Sequence, residues 1–219
     1  MEAESFVPAL GYRWLTPAYD AVVRLTTRER AFKQALLDQA ALQPGWRVLD
    51  LASGTGTLAV MAKRRTPAAR IEGLDADPEV IARARARAAA ANLDLRFTQG
   101  RADALPFPDA WFDAVLCSLF FHHLTRGTRL RAFAEIARVL KPGAPLHAAD
   151  WGEARDPLMR FAFLGIQVLD GFKNTADNVA GKLPAQMREA GLTVVEETRR
   201  FATLFGTMSL YRAIRPARS

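Results

Sequence analysis

The sequence predicts an α/β fold in which helices cover both faces of a mostly parallel β-sheet. Short apolar strands alternate with helical patterns along residues 43–150. This alternation requires crossover connections, which produce parallel strands. After residue 190, two strand-like segments follow each other with almost no connector, so they must pair as an antiparallel hairpin. With 219 residues, half of them hydrophobic, the chain can bury a substantial core as one domain.

Apolar runs and helix start and stop signals place the individual elements. Asp77 and Pro78 begin a helix, because an Asp N-cap precedes a proline at the first helical position. Lys141-Pro-Gly143 ends another, whose apolar residues recur at helical spacing from Leu130. Strands are expected at 46–51, 70–75, 94–99, 112–118, 145–150, 193–201 and 204–214, and further helices at 57–65, 155–172 and 176–190. The first forty residues have the pattern of short amphipathic helices.

Composition and charge exclude several classes of protein. The net charge is +7, but the arginines are scattered, so we interpret them as solvated surface and expect no nucleic-acid partner. The lone cysteine, Cys117, excludes an intramolecular disulfide and a cysteine-based zinc site. The acidic residues after Met1 do not fit a secretory signal, and no apolar run approaches the roughly 18 residues of a membrane span. A cytoplasmic location is therefore expected.

A glycine loop and an acid on the following strand indicate a nucleotide-like ligand. Gly54 and Gly56 lie between a strand and a helix, where glycine lets the backbone approach a ligand closely. Asp75 ends the next strand, the position from which an acid accepts hydrogen bonds from ribose hydroxyls. The segment from Gly54 to Ala59 also satisfies the loose dinucleotide fingerprint. A dinucleotide oxidoreductase is therefore the rival interpretation.

Asp50 favours a different cofactor. It ends the first strand, four residues before Gly54, where a carboxylate would repel a pyrophosphate and attract a cation. S-adenosylmethionine carries an ammonium and a sulfonium but no phosphate, so it suits this loop better than a nicotinamide dinucleotide. An acid that merely caps or bridges loop amides is the alternative.

Several ordered segments resemble the class I S-adenosylmethionine-dependent methyltransferase family. Residues 48–56 resemble its first motif, V-L-D-x-G-x-G-x-G, with Ala52 in place of the first glycine. This alanine is expected to tighten the backbone beside the methionine moiety. Residues 71–77, 100–115 and 140–143 are similar to later motifs. The resemblance implies a Rossmann-like, doubly wound sheet of seven strands, mostly parallel, with the antiparallel hairpin at its end.

The resemblance also implies which residues bind the cofactor, S-adenosyl-L-methionine. Asp75 would bind the ribose and Asp103 the adenine amino group, while Ala104 offers its backbone N–H. The remaining expected cofactor-binding residues are Asp50, Ala52, Ser53, Gly54, Gly56, Ala76, Ala102, Cys117 and Tyr19. Tyr19 belongs to a segment at 12–20 that looks like the N-terminal region of quinone-biosynthesis and phospholipid N-methyltransferases. In an alternative interpretation, its aromatic residues only pack a helix onto the sheet.

In this interpretation residues 1–219 form a single methyltransferase domain. Residues 1–42 would be an N-terminal helical lid, 43–150 the cofactor-binding core, and 151–219 the acceptor-side helices and terminal hairpin. The aromatic residues predicted to roof the acceptor pocket suggest a small-molecule or lipid-like methyl acceptor, with a prenylated quinol as one example. The basic N-terminal segment suggests peripheral membrane contact. The chain is expected to be a monomer or homodimer.

His122 and His123, after the fourth strand, are the candidate catalytic bases, because imidazole titrates near neutral pH. Pocket lining and plain packing are their alternative roles. No metal site is expected, because adjacent side chains point apart and no carboxylate partner is evident nearby. Two other functions stay open: a cofactor-binding regulatory protein without turnover, and an RNA or protein methyltransferase.

Overall fold

The computed structural model of the protein describes residues 29–152, 181–203 and 206–217. The helices in these ranges are α1 (Glu29–Ala40), α2 (Thr57–Arg65), α3 (Pro78–Ala90), α4 (Arg126–Val139) and α5 (Leu183–Glu189), with a 3-10 turn at Phe121–His123. The strands are β1 (Arg47–Leu51), β2 (Arg70–Asp75), β3 (Arg96–Gln99), β4 (Ala114–Ser118), β5 (Pro145–Trp151), β6 (Thr193–Thr203) and β7 (Gly206–Ile214).

These strands form one seven-stranded sheet in the order β3-β2-β1-β4-β5-β7-β6. Strands β1 to β5 pair in parallel, whereas β7 pairs antiparallel with both β5 and β6. The predicted mostly parallel sheet with a C-terminal hairpin is therefore confirmed. The strand order reverses between β1 and β4, and in open α/β sheets such a reversal opens a crevice at the carboxyl ends of the strands.

Helices cover both faces of the sheet, and the alternation along β1 shows which side chains meet which helices. Val48 belongs to the core cluster formed with α1, α2 and α3. Leu49 and Leu51 belong to the opposite cluster, formed with α4 and α5. Because successive strand side chains point to opposite faces, Asp50 lies on the face of Val48, beneath α1 and α2.

The differences from the predicted elements lie at strand ends and at one helix: of the helix expected at 176–190, the described residues show Leu183–Glu189. The strand expected at 112–118 begins at Ala114, because Phe112 makes only an isolated bridge with Leu140. The strand expected at 94–99 begins at Arg96. The helix expected at 155–172 and residues 1–28 of the predicted lid lie outside the described residues. Within the part of the chain that is described, no helix is long and apolar enough to cross a membrane.

Candidate functional site

The loop between β1 and α2 adopts a left-handed backbone at three positions. Gly54 and Gly56 have φ values of 54° and 76°, and Ala52 has a φ of 53°. A Cβ at Gly56 would lie 3.0 Å from Phe97 and 3.2 Å from Ala84, so glycine is needed there for packing as well as conformation. Ala52 occupies a conformation that glycine adopts without cost, which gives a structural basis to the expected constraint at this residue.

Asp75, at the end of β2, organises this loop. Its Oδ2 accepts a hydrogen bond of 2.9 Å from the Gly54 amide, and its Oδ1 accepts one of 3.1 Å from the Asp77 amide. Burial raises the pKa of the carboxyl, although these amide donors oppose the rise. Each oxygen retains acceptor capacity, since a carboxylate has about four lone-pair sites. The carboxylate can therefore accept further hydrogen bonds from a diol.

Asp50 lies at the centre of the candidate site without a hydrogen-bond partner. Its side chain is 1% exposed, and neither carboxylate oxygen accepts a hydrogen bond. The Ser53 hydroxyl, three residues later, is also buried and unpartnered, and no other buried side-chain polar atom among the described residues shares this state. Burial raises the pKa of Asp50 to about 7, against the opposing influence of Lys33 and the Ala59 amide. No hydrogen bond of ordinary geometry reaches the Asp50 oxygens, although the Ala59 amide at the start of α2 acts on the carboxyl, so the alternative that Asp50 caps or bridges loop amides stays a prediction.

Such unpartnered groups fit the cofactor expected from the sequence. Buried polar groups are normally hydrogen-bonded, and leaving one without a partner costs about 1–3 kcal/mol. An ammonium group placed at Asp50 would donate hydrogen bonds to the carboxylate oxygens and would also compensate their negative charge. A phosphate there would instead face a buried carboxyl. The donors and acceptors present therefore fit S-adenosylmethionine better than a dinucleotide.

Asp103 lies in the segment between β3 and β4, where two arginines hold it. Arg101 donates from Nε and Nη2 to its two carboxylate oxygens, both at 3.0 Å, and Arg131 donates from Nη2 at 3.3 Å. Hydrogen bonding from Arg101 keeps the pKa of Asp103 below its ordinary value. The sequence did not predict these ion pairs. They fix an ionised acceptor at the position where an adenine amino group is expected.

The 3-10 turn after β4 brings the two histidines against a buried acid. The Nδ1 atom of His122 lies 2.6 Å from Oδ1 of Asp150, at the end of β5, and the rings of His122 and His123 are 3.9 Å apart. The expectations that these histidines point apart and lack a carboxylate partner are both wrong. The reason is that β4 and β5 are neighbours, so their carboxyl ends meet at one edge of the sheet.

These histidines differ in chemistry. Burial acts to raise the pKa of Asp150, but interaction with His122 and the hydrogen bond from the Trp151 amide lower it below the ordinary value. Asp150 is therefore an ionised acceptor, and Nδ1 of His122 carries the proton between them. In an imidazole whose Nδ1 carries the proton, Nε2 is the basic nitrogen. Burial, followed by repulsion from His122, lowers the pKa of His123 to about 3. A nitrogen with so low a pKa binds a proton weakly, so His123 is the poorer candidate base of the two.

Arg129, which was interpreted from the sequence as a surface residue, donates hydrogen bonds to the 3-10 turn that carries the two histidines. Arg129 on α4 is 1% exposed and donates to the carbonyls of Phe121 and Leu124 and to Oε1 of Gln186. The interpretation of Arg129 as solvated is wrong. Its hydrogen-bond partners come from segments up to 57 residues away, so helical periodicity carries no signal of them.

The remaining predicted residues are placed as follows. Cys117 on β4 is buried, and burial raises the pKa of its thiol well above the ordinary value. Ala102 is buried, and the Ala76 carbonyl accepts a hydrogen bond from Gln99. Ala104 pairs with Arg101 in an isolated bridge. Tyr19 lies outside the described residues. The cofactor roles of these residues stay predictions.

Similar proteins are found for the motif-bearing part of the chain. Residues 48–143 match the family described as "Methyltransferase domain". A demethylmenaquinone methyltransferase of Thermus thermophilus is 40% identical over 134 residues, which is 60% of this chain and 60% of the relative. A ubiquinone/menaquinone biosynthesis C-methyltransferase of Cereibacter sphaeroides is 32% identical over 174 residues, which is 78% of this chain and 66% of the relative.

The chain thus spans 60% and 66% of the lengths of these two relatives. Among solved structures, an S-adenosylmethionine-dependent methyltransferase from Aquifex aeolicus matches with a TM-score of 0.64 at 20% identity, covering 89% of this chain and 93% of that chain. One from Methanosarcina mazei matches with a TM-score of 0.65 at 20% identity, covering 81% and 95%. These two structures have the same fold as this chain.

Proposed function

The chain belongs to the class I S-adenosylmethionine-dependent methyltransferase family, and we propose that it transfers a methyl group to a small, lipid-like acceptor of the quinol class. S-adenosylmethionine is the cofactor of this family. The acceptor class rests on the relatives, whose names place them in quinone biosynthesis. Because the chain spans only part of their length, the activity and the acceptor are both part of the proposal.

The observation that carries this proposal is the unpartnered pair of Asp50 and Ser53 at the glycine loop. Asp50 would bind the ammonium of the methionine end. Asp75 would accept from the ribose hydroxyls, and Asp103 from the adenine amino group. Asp50 and Asp75 lie at the carboxyl ends of β1 and β2, and Asp103 lies in the segment after β3, so the three acids follow the sheet order β1, β2, β3 as the three parts of the cofactor follow each other.

When bound, S-adenosylmethionine would supply an electrophilic methyl group: the acceptor attacks the methyl carbon in line, and the bond to the positively charged sulfur breaks to leave a neutral thioether. The main task of the chain is then to orient the acceptor and exclude water. His122 would take the proton of a quinol hydroxyl at Nε2, which makes the neighbouring ring carbon more nucleophilic. Asp150 would stabilise the imidazolium that results, as a carboxylate orients histidine in other general-base pairs. The ring carbon would form the bond to the methyl group and then lose its own hydrogen as a proton, while the oxygen regains the proton held by His122.

The first test is calorimetry with S-adenosylmethionine, and it includes the variants Asp75→Ala and Asp94→Ala. Asp94 is an exposed acid outside the candidate site, so its replacement should leave binding unchanged. Asp75→Ala should weaken binding at least about tenfold, because it removes a charged acceptor. Absence of binding by the wild type, or unchanged binding by Asp75→Ala, would refute the assignment of the cofactor site.

The second test follows methyl transfer to a short-chain demethylmenaquinol, with a phenol, an amine and phosphatidylethanolamine as competing acceptors. Preference for the quinol supports the proposed acceptor. The variant His122→Gln should lower kcat about 100-fold or more without weakening cofactor binding, as expected for loss of a general base. Cofactor binding without turnover of any acceptor would instead favour a regulatory protein of the same fold.

A further inference from the structure

We propose that Lys33 binds the α-carboxylate of S-adenosylmethionine, so that Lys33 and Asp50 together recognise the amino-acid end of the cofactor. This inference rests on the proposed cofactor site and adds a residue to which the sequence motifs assign no role. It follows from the direction of α1, the face of the sheet that α1 covers, and the present partner of the Lys33 ammonium.

Helix α1 runs toward the amino ends of the parallel strands, so its first turns lie at their carboxyl ends. Near the end of the helix, Gln39 donates from Nε2 to the Tyr211 carbonyl and lies 2.9 Å from Nδ1 of His147. His147 is three residues before Asp150, about 10 Å along β5. Lys33 is six residues before Gln39, about 9 Å along the helix. Lys33 therefore lies level with the end of β5, where the candidate site opens.

Lys33 and Asp50 also share one face of the sheet. Phe32 and Leu36 of α1 pack into the same cluster as Val48 of β1. Asp50 follows Val48 by two residues and so points to this face. The charge of Lys33 acts on the Asp50 carboxyl across the space between them. The two groups therefore face one region at the carboxyl edge.

The present partner of Lys33 indicates a binding role rather than a structural one. Its side chain is buried, with 8% of the residue exposed, and its Nζ atom lies 2.5 Å from Oε1 of Glu29 one turn earlier. A lysine whose purpose was to neutralise Asp50 would hydrogen-bond to it, yet both Asp50 oxygens are unpartnered. Glu29 instead holds the ammonium on the face of the sheet to which Asp50 points.

A zwitterionic amino-acid group complements this arrangement. Its ammonium would satisfy Asp50, and its carboxylate would accept from Lys33, which has three donor hydrogens and uses one of them on Glu29. Buried charges are stable only when they are paired, so a ligand with both charges completes the site with no net change in charge. A ligand with only the ammonium would leave Lys33 without this second acceptor.

The test compares S-adenosylmethionine with decarboxylated S-adenosylmethionine, which lacks only the α-carboxylate. The wild type should bind the complete cofactor at least about tenfold more tightly, since a charge-assisted hydrogen bond is lost with the carboxylate. Lys33→Met should weaken binding of the complete cofactor by a similar factor and leave the decarboxylated ligand within about twofold. Lys33→Arg should retain most of the preference.

Lys141→Met is the matched control. Lys141 also forms an ion pair, with Asp113, but it lies at the amino end of the strands, so both affinities should be unchanged. Equal affinity of the wild type for the two ligands overturns the inference even if Lys33→Met does not fold. Equal weakening of both ligands by Lys33→Met overturns it as well. Absence of any binding by the wild type is a different result, because it refutes the proposed function itself.

Discussion

Asp50 and Asp150 are both buried near the carboxyl ends of parallel strands, but they differ in their hydrogen-bond partners and in the direction of their pKa shifts. Asp50 is the last residue but one of β1, has no hydrogen-bond partner of ordinary geometry, and has a pKa raised to about 7. Asp150 lies near the end of β5, accepts from the Phe121 and Trp151 amides at 2.7 Å, and faces His122. Its pKa is lowered despite complete burial.

The protein itself supplies the hydrogen-bond partners of Asp150, whereas Asp50 would gain its partners from a bound ligand. The 3-10 turn after β4 and the adjacent Trp151 amide supply partners that stabilise the charge of Asp150, so its ionised form belongs to the folded state. The charge of Asp50 lacks such partners and is therefore the group on which a cationic ligand gains most. Burial of a charged residue by itself does not distinguish these roles, but its hydrogen-bond partners do.

The largest effect is expected for Asp150→Ala. Loss of this acid leaves His122 and two buried amides without their acceptor, so the free energy of unfolding should fall by about 3–5 kcal/mol. Denaturant unfolding measures this change. Asp113→Ala is the control, because Asp113 also accepts from an amide and a lysine but is partly exposed, and it should cost about 1 kcal/mol. Similar losses for both variants would contradict the special status of Asp150.

The next largest effect is expected for Asp50→Asn. Unlike Asp150→Ala, this variant should lose affinity for the cofactor without losing stability. Affinity for S-adenosylmethionine should fall about 10- to 100-fold, because the ammonium loses a charged acceptor. The unliganded variant should be at least as stable as the wild type at pH 8, because it no longer buries an uncompensated charge. Calorimetry and thermal unfolding measure the two quantities. A destabilised variant at pH 8 would show that Asp50 has a stabilising partner after all.

The raised pKa of Asp50 predicts how the stability and the cofactor affinity of the wild-type protein depend on pH. The pKa of Asp50 is raised from 3.8 to about 7, so the folded state holds its proton more tightly than the unfolded state. Stability from this group is present below about pH 4 and is lost as the pH rises through about 7. Cofactor affinity should rise as the carboxyl ionises in the folded state, about tenfold between pH 6 and 8. Asp50→Asn should remove both dependences.

The smallest effect is expected for Ala52→Gly in the loop that follows Asp50. Alanine at a φ of 53° is strained, so glycine should stabilise the protein by up to about 1 kcal/mol, after its greater unfolded entropy is deducted. Ala110 also has a φ of 53° but lies outside the candidate site, and Ala110→Gly serves as the control. Both variants should raise the melting temperature, and only Ala52→Gly should change cofactor affinity.

Local patterns were sufficient for much of the fold. The helix expected at 57–65 and the strand expected at 70–75 have the predicted bounds, because apolar periodicity, a glycine before the helix and short polar breaks all lie within each segment. The strand bounds at 94–99 and 112–118 were less accurate. At 112–118 the first residue, Phe112, forms an isolated bridge with Leu140, a long-range pairing that no local pattern contains.

The sequence by itself determined the parallel sheet with its terminal hairpin, and it placed Asp50, Asp75 and Asp103 at or after strand ends, because these features depend on the order of neighbouring residues. Only the tertiary structure decided that Asp50 lacks a partner while Asp150 has several. It also decided that Arg129 is buried and that Lys33 shares a face with Asp50. Charge state and hydrogen-bond partners depend on groups that are distant in the chain and become neighbours only when the sheet and its helices are assembled.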